Sequence, residues 1–139
     1  GSAEVPTTEK PDTEKILNKI KTGVNFFQTQ YVFDEKILKN YMKVLEDFGI
    51  LEKTSFIIGL GPFSSAKNAK WMNDNLFGVN VPNKIIKRLE QSKDPKEESK
   101  KICLELIHHF QNIEGVKGVH LMGHNKEEII SEIIHESKK

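Results

Sequence analysis

The sequence predicts an α/β fold with parallel strands joined by crossover helices, and three observations support this class. Short runs rich in β-branched and aromatic residues occupy 24–31, 54–60 and 116–122. Stretches with apolar residues at helical spacing separate these runs and indicate about six helices. Glycine, proline or aspartate marks most of the boundaries. Strands that alternate with helices pair in parallel through right-handed crossovers, so the pattern indicates a small three-layer domain or a segment of a larger barrel or sheet.

The chain starts with a polar stretch, 1–11, which contains two prolines and no periodicity and is expected to be a flexible leader. Its opening Gly-Ser, without a methionine, is typical of a cleaved tag. A single α/β domain is expected to span 12–139. Asp12 is suited to cap the first helix of this domain, and Gly23 stands where a glycine commonly ends a helix.

The next elements carry their own boundary signals. The first strand, 24–31, leads to a helix that Asp34 is suited to cap and Gly49 to end. The second strand, 54–60, is a nearly continuous apolar run, as expected of a strand covered on both faces. The Gly61-Pro62 pair ends that strand.

Three helices are predicted before the third strand. They begin at Ser64, at Pro82 as a first helical residue, and after Asp94, which a proline and an acidic residue follow at favourable positions. The third strand, 116–122, precedes a last helix that Asn125 is suited to cap. Three strands leave two open sheet edges, so self-association through those edges is expected.

Composition excludes several classes of protein. The chain of 139 residues carries 21 Lys+Arg against 20 Asp+Glu, a net charge of +1, which argues against nucleic acid or an anionic membrane as a partner. The single cysteine excludes an internal disulfide and a zinc site made of cysteines alone. No apolar run approaches about 18 residues and no signal peptide is evident, so a cytoplasmic protein is expected.

Ligands of parallel α/β folds bind at the carboxyl ends of the strands. Gln30 ends the first strand, and its carboxamide can either bind an amide-bearing heterocycle or bond to the backbone. The segment GLGPFSSAK, 59–67, can be read as a phosphate loop or, since it lacks the Gly-Lys-Ser/Thr ending, as a plain turn from strand to helix.

The remaining reactive side chains do not indicate a particular reaction. His120 and His124 are four residues apart across a strand end and a turn, which favours a structural or pocket-lining role over a metal site. Cys103 is predicted to be a buried thiol, and His108-His109 to lie at the surface boundary of a helix. Since no catalytic triad or dyad signature is present, these residues indicate a ligand-binding α/β unit.

Four stretches, taken together, resemble the methylenetetrahydrofolate reductase family. Their order and spacing agree with the family over most of the chain. The stretches are TGVNFFQTQYVFD at 22–34, FIIGLGPFSSAKNAKWM at 56–72, NVPNKIIKRLE at 80–90 and GVKGVHLMGHNKEEIISEI at 115–133. The family consists of FAD-containing (β/α)8 TIM barrels that pass a hydride from NAD(P)H through FAD to methylenetetrahydrofolate, giving methyltetrahydrofolate. The resemblance implies that this chain is a partial barrel made of the last three βα units.

The resemblance also implies a folate-binding role for three residues. Gln30 matches the family glutamine that contacts the pterin and, in the alternate complex, the nicotinamide. Lys126 stands where the family commonly has an arginine near the glutamate tail of folate, and a lysine keeps the charge without the bidentate fork. Phe63 is a substitute for the aromatic residue that packs on folate, because Ala66 occupies that aromatic's position.

The same resemblance implies contacts with FAD from Asp12, Lys15 and Lys19, which match a helix running along its adenosine end. The family's catalytic glutamate and its flavin-tuning aspartate belong to strands outside the matched stretches. No catalytic residue is therefore expected in this chain, which alone is expected to be inactive and to need the other barrel portion or a second chain. The alternative function is a non-catalytic folate- or partner-binding subunit, or an inactive fragment.

Overall fold

The structure is a computed structural model that describes residues 2–4, 11–123 and 126–138. The strands are β1 (Ser2–Glu4), β2 (Phe26–Tyr31), β3 (Ser55–Leu60) and β4 (Val116–Leu121). The helices are α1 (Thr13–Lys21), α2 (Glu35–Asp47), α3 (Ala66–Asn75), α4 (Asn83–Gln91), α5 (Pro95–Gln111) and α6 (Glu127–Ser137), with a 3-10 turn at Ile50–Glu52. The predicted strands and helices are present, which confirms the α/β class. Within the described ranges, no helix has both the length and the apolar character needed to cross a bilayer.

The strands form one sheet in the order β1-β2-β3-β4, and each neighbouring pair is parallel. Strands that follow chain order through right-handed crossovers carry their helices on one face of the sheet. The helix contacts agree with this rule, because α2 packs on α5 and α5 packs on α6. One helix layer on one face is the arrangement of a barrel segment, so the three-layer alternative is wrong for the described residues.

Burial along β3 shows the two faces directly. Phe56 and Ile58 point towards the helices and are fully buried, whereas Ser55 and Ile57, which alternate with them along the strand, are half-buried. The expectation that β3 is covered on both faces is therefore wrong. An apolar residue such as Ile57 can stand on an uncovered face, so an unbroken apolar run does not by itself prove two-sided burial.

We call the side of the sheet without helices the open face. The strand register places Gln28 beside Ile57, Ile57 beside Gly118, and His120 two residues further along the same side. A Cβ built on Gly118 would meet no atom within 4 Å, which agrees with its position on this face. The open face is thus defined by Gln28, Ile57, Gly118 and His120.

The hydrophobic core lies between the sheet and its helix layer. Phe27 of β2 and Phe56 of β3 stack with their ring centroids 5.1 Å apart, and Tyr41 of α2 meets Phe56 edge-on at 6.5 Å. Large aromatic rings in such pairs contribute both buried apolar area and favourable ring geometry. The centre of the sheet is therefore the most firmly packed part of the fold.

Most predicted helix boundaries are confirmed. The aspartate caps at Asp12, Asp34 and Asp94 each accept a hydrogen bond from the backbone N–H three residues further on. Gly23 and Gly49 follow the ends of α1 and α2 with φ of 103° and 72°, a backbone region that L side chains rarely adopt. These aspartates and glycines fix the limits of α1, α2 and α5 from purely local chemistry.

Three helix starts differ slightly from the prediction. Ser65, not Ser64, caps α3, because its hydroxyl accepts from the amide three residues on. Pro82 is the N-cap of α4 and not its first residue. The N-cap of α6 is Lys126, and Asn125, the predicted cap, lies outside the described residues.

The largest difference concerns the stretch predicted to be a leader. Within 1–11, residues Ser2–Glu4 form β1 and pair in parallel with Phe27–Thr29 of β2. The leader prediction is therefore wrong for Ser2–Glu4, while residues 5–10 lie outside the described part of the chain. The sheet consequently has four strands where three were predicted. A three-residue strand is too short to show a periodic pattern, and its pairing with β2 is a tertiary interaction.

Candidate functional site

The carboxyl end of β2 contains an irregularity in strand pairing. The register pairs Gln28 with Ile57 and then Tyr31 with Gly59, so the two residues Thr29–Gln30 stand opposite a single residue of β3. An extra residue of this kind breaks the strict alternation of side chains and re-aims the side chain that follows it. The predicted ligand-binding glutamine belongs to this bulge.

Thr29 and Gly59 hold the bulge in place. The Thr29 hydroxyl accepts a hydrogen bond from the Gly59 amide at 2.8 Å and donates to the Gln30 carbonyl at 2.8 Å. A Cβ on Gly59 would lie 2.6 Å from the Thr29 carbonyl oxygen and 2.9 Å from that of Gln30, so only glycine fits. Thr29 was not predicted from the sequence, although a glycine inside an apolar strand is a known signal of a bulge or a close backbone approach.

The Gln30 side chain has two differently occupied ends. Its Oε1 accepts a hydrogen bond from the Tyr31 amide at 2.9 Å. Its Nε2 has no partner among residues 2–4, 11–123 and 126–138. The two interpretations of Gln30 thus apply to different atoms, because the backbone fixes the oxygen and the half-buried nitrogen remains able to donate to a ligand.

Backbone amides of the turn after β3 donate to side chains of the same chain. The Phe63 amide donates to the Ser99 hydroxyl at 2.5 Å, and the Ser64 amide donates to Asn68 Oδ1 at 3.1 Å. A phosphate loop needs such amides to point at its ligand. The segment 59–67 is therefore a turn from strand to helix, as the plainer of the two interpretations predicted.

Lys126 closes this turn from the direction of α6. Its Nζ donates to the Pro62 carbonyl at 2.8 Å and to Asn68 Oδ1 at 3.2 Å. Burial lowers the pKa of this ammonium from its ordinary value. Lys126 thus joins the loops after β3 and β4, and the role of Asn68 in holding it was not predicted from the sequence.

A cavity of about 720 Å³ opens beside Lys126. It is bordered by Phe63, Ser64, Asp94, Lys96, Glu97, Lys126, Glu127, Glu128, Ile129 and Glu132. Five of these side chains are carboxylates and two are lysines, so the lining is acidic overall. A carboxylate group that reached Lys126 through this cavity would therefore meet like charge.

Phe63, the predicted folate-stacking aromatic, is packed into the core. Its side chain is 1% exposed, and its ring centroid lies 4.6 Å from that of Phe33. Phe33 in turn stacks on Tyr31 with centroids 5.6 Å apart. In this arrangement Phe63 offers no exposed ring face, and Tyr31 is the half-buried aromatic residue adjacent to Gln30.

The three residues predicted to contact FAD lie together on one side of α1. Asp12, Lys15 and Lys19 line a shallow groove of about 450 Å³. The Asp12 carboxylate accepts from the Lys15 amide at 3.0 Å and so serves as the helix cap. The two lysines, one helical turn apart, are the groups that suit an anionic ligand here.

The histidines and the cysteine form no reactive centre among the described residues. His120 is exposed on the open face, and His124 lies outside the described residues. No group of three or more possible metal ligands occurs in the part of the chain that the structure describes. Cys103 is fully buried, and desolvation raises its pKa to about 12, which confirms the prediction of an unreactive buried thiol.

His108 and His109 are both exposed near the end of α5. His109 lies 3.1 Å from a Glu35 carboxylate oxygen through Nδ1. This contact joins α5 to the start of α2. The histidine pair therefore belongs to the helix surface, away from the rim.

Comparisons with protein families, curated proteins and solved structures bear on this geometry. The sequence model of the family described as methylenetetrahydrofolate reductase matches residues 5–138. No curated protein matches the chain.

Among solved structures, the fold is similar to that of an uncharacterized protein from Clostridium thermocellum that binds two copies of 5-methyl-5,6,7,8-tetrahydrofolic acid. The two chains are 20% identical, with a TM-score of 0.63. The match covers 98% of this chain and 51% of the other, so this chain spans about half the length of that protein.

Proposed function

The chain belongs to the methylenetetrahydrofolate reductase family, and from this premise we propose that it binds a reduced folate at the carboxyl-end rim of its sheet. In the fuller form of the proposal, the chain is part of a flavin-dependent methylenetetrahydrofolate reductase. It supplies the side of the site that holds folate and, in alternation, nicotinamide. The overall reaction takes reducing equivalents from NAD(P)H to methylenetetrahydrofolate and yields methyltetrahydrofolate.

The observation that carries the proposal is the state of the Gln30 carboxamide. The hydrogen bond from the Tyr31 amide to Oε1 fixes the orientation of the group before any ligand arrives. Nε2 is left as a donor at the end of β2, where ligands of parallel α/β folds bind. A pterin presents ring nitrogens and a carbonyl at its edge, which are suitable acceptors for this donor.

The comparison structure supports a folate in preference to another heterocycle. That protein is described as binding 5-methyl-5,6,7,8-tetrahydrofolic acid, and its fold matches nearly the whole of this chain. Because this chain spans about half of that protein, we propose the complete reductase reaction for an assembled barrel. For the isolated chain we propose folate binding.

FAD is the cofactor that the family implies, and we propose that the groove on α1 receives one end of it. The ammonium groups of Lys15 and Lys19 would hold the pyrophosphate, while Asp12 keeps its role as helix cap. Bound FAD would supply two-electron transfer between nicotinamide and folate. We propose that the contribution of this chain to FAD is limited to the adenosine end.

The second candidate function is a non-catalytic folate- or partner-binding subunit. One observation favours it: the Lys126 ammonium already bonds to the Pro62 carbonyl and to Asn68, and its cavity is lined by acidic side chains. Such a lysine is a weak anchor for a carboxylate tail. If the chain binds folate but does not bind FAD, this candidate is supported over the reductase.

Calorimetric titration of the chain with methyltetrahydrofolate and, separately, with FAD tests these proposals. We expect folate to bind with micromolar affinity, and Gln30→Ala to weaken it roughly five- to tenfold through the loss of one hydrogen bond of about 1 kcal/mol. Gln111→Ala, at an exposed position at the end of α5, is the matched control and is expected to leave binding unchanged. Absence of folate binding, or equal affinities for the two variants, would overturn the proposed role of Gln30.

A further inference from the structure

The outer strands of the sheet each have a free edge. Among the described residues β1 pairs with β2 alone and β4 pairs with β3 alone. The Met122 amide donates to the Leu60 carbonyl at 2.8 Å, and successive amides of a strand point to alternate sides. The amides of Val119 and Leu121 therefore point away from β3, towards the free edge of β4.

The open face also carries apolar side chains that no helix among the described residues covers. It carries Ile57 and the half-buried Gln28, and Phe26 beside them is 37% exposed. Parallel sheets are rarely found with one face bare, because both faces are normally covered by other elements. A suitable partner must pair with two edges and cover this face at the same time.

We propose that two copies of this chain close one eight-stranded parallel barrel, in which β4 of each copy pairs with β1 of the other. Four strands in chain order are half of the eight that close a (β/α)8 barrel. A twofold axis along the barrel keeps all eight strands parallel and pairs both free edges of each copy. The two open faces then turn inward and cover each other.

The helices at the two seams have complementary charge. Closure brings α6 of one copy beside α1 of the other. Within Glu127–Ser137 there are four glutamates and no lysine or arginine, and two of these glutamates, Glu132 and Glu136, already pair with Lys100 of α5 in the same copy. Thr13–Lys21 contains three lysines and one glutamate, so the two helices have net charges of opposite sign. In addition, Ile134 of α6 is 41% exposed, and it would be covered at this contact. Charge complementarity of this kind selects the orientation of partners.

The solved structure of similar fold agrees with the required size. This chain covers 51% of that longer chain, so the remainder there is about as long as a second copy of this chain. In the proposed dimer both carboxyl-end rims lie at the same end of the barrel, and each rim is completed by the other copy. A barrel closed by two copies of this chain would lack the catalytic glutamate that the family resemblance places on other strands, so this assembly fits the non-catalytic folate-binding candidate and not the complete reductase.

Light scattering on the purified chain measures the assembly directly. The chain mass is 15.9 kDa, so a dimer has twice that mass, about 32 kDa. Val119→Pro removes an amide from the free edge, where proline is tolerated in strands, and is expected to yield a folded monomer with an unchanged helical circular dichroism signal. Val119→Thr, which keeps the amide and the branched shape, is the matched control and is expected to remain a dimer. A wild-type monomer at tens of micromolar, or a dimeric proline variant, would overturn the proposal.

Cross-linking distinguishes closure from any other dimer. A short bismaleimide is expected to link a mixture of Ala3→Cys and Lys117→Cys chains into covalent dimers, because β1 of one copy meets β4 of the other. Neither variant alone is expected to link, since the twofold axis places identical positions on opposite sides of the barrel. Cys103 is fully buried and contributes no background. Efficient linking of Lys117→Cys with itself would show an edge-to-edge β4 dimer and would contradict closure.

Discussion

The two faces of the sheet are built from alternate residues of the same strands, yet they differ in nearly every property. On the covered face Phe27, Phe56 and Ile58 are completely buried beneath the helices. On the open face Gln28 and Ile57 are half-buried, and His120 is exposed. The covered face therefore provides most of the stability of the isolated chain, while the open face and its rim are left available for a ligand or a second copy.

The largest expected effect comes from neighbouring residues of β3 on the two faces. Phe56→Ala should lower the free energy of unfolding by about 3–5 kcal/mol, because it leaves a cavity where the ring stacks on Phe27. Ile57→Ala should lower it by only about 1 kcal/mol, since that side chain is only partly buried and lies on the face without helices. Urea unfolding, at protein concentrations low enough to keep the chain monomeric, measures both changes in the free energy of unfolding. Equal losses would show that the open face is as well covered as the other.

The next largest effect concerns the rim. Lys126→Met should lower the free energy of unfolding by about 1–2 kcal/mol at neutral pH, because the Pro62 carbonyl and Asn68 lose a charged donor. Lys70→Met is the control, since Lys70 is exposed and pairs with Glu90 at the surface, and we expect a change within about 0.5 kcal/mol.

The same lysine predicts a pH dependence. Because burial lowers the pKa of Lys126 in the folded chain, the folded state binds its proton more weakly than the unfolded state does. The stability of the wild type relative to Lys126→Met should therefore increase as the pH rises from below the lowered pKa to above 10.5. Unfolding curves at pH 8 and above 10.5 measure this difference, and a decrease would contradict the assignment.

The smallest effect lies in the helix layer, at the junction of α4 and α5. Arg88 donates to both carboxylate oxygens of Glu105 and also to Glu98. Since these groups are partly exposed, Arg88→Met should cost only about 1 kcal/mol.

The stabilisation by the Arg88–Glu105 ion pair is expected to depend on pH in the acid range. The hydrogen bond and charge of Arg88 lower the pKa of Glu105 from its ordinary value of 4.5. The stabilisation is present above pH 4.5 and is lost as the pH falls through the lowered pKa. The free energies of unfolding of the wild type and of Arg88→Met, measured as the pH is lowered, should therefore converge at low pH. A difference that stays constant with pH would mean that the charge of Glu105 does not contribute to the stabilisation.

The fold class and most boundaries were predictable because they depend on local chemistry. Asp12, Asp34 and Asp94 cap their helices through bonds within three residues, and Gly23 and Gly49 adopt positive φ at helix ends. The strand β1 was not predictable, because Ser2–Glu4 has no periodic pattern and is ordered only by pairing with β2. The open face was missed for a related reason, since strand composition does not reveal which side the helices cover.

The candidate site was predicted only in part. Gln30 was identified, but the bulge that positions it depends on a bond between Thr29 and Gly59, which are thirty residues apart. Phe63 was assigned to ligand stacking from its neighbourhood in the sequence, yet contact with Phe33 directs its ring into the core. Asn68 was missed because its contact with Lys126 joins loops that are distant in the sequence. Each of these details depends on tertiary contacts.

The strand order has a further consequence for how the chain is made. Since β1, β2, β3 and β4 are neighbours in the same order in which they are synthesised, each strand after β1 finds a partner already present when it emerges from the ribosome. No later strand has to insert between two earlier ones, which keeps the loops that must close during folding short. The fold can thus grow by one βα unit at a time during translation, and the two outer edges are the last surfaces to find a neighbour.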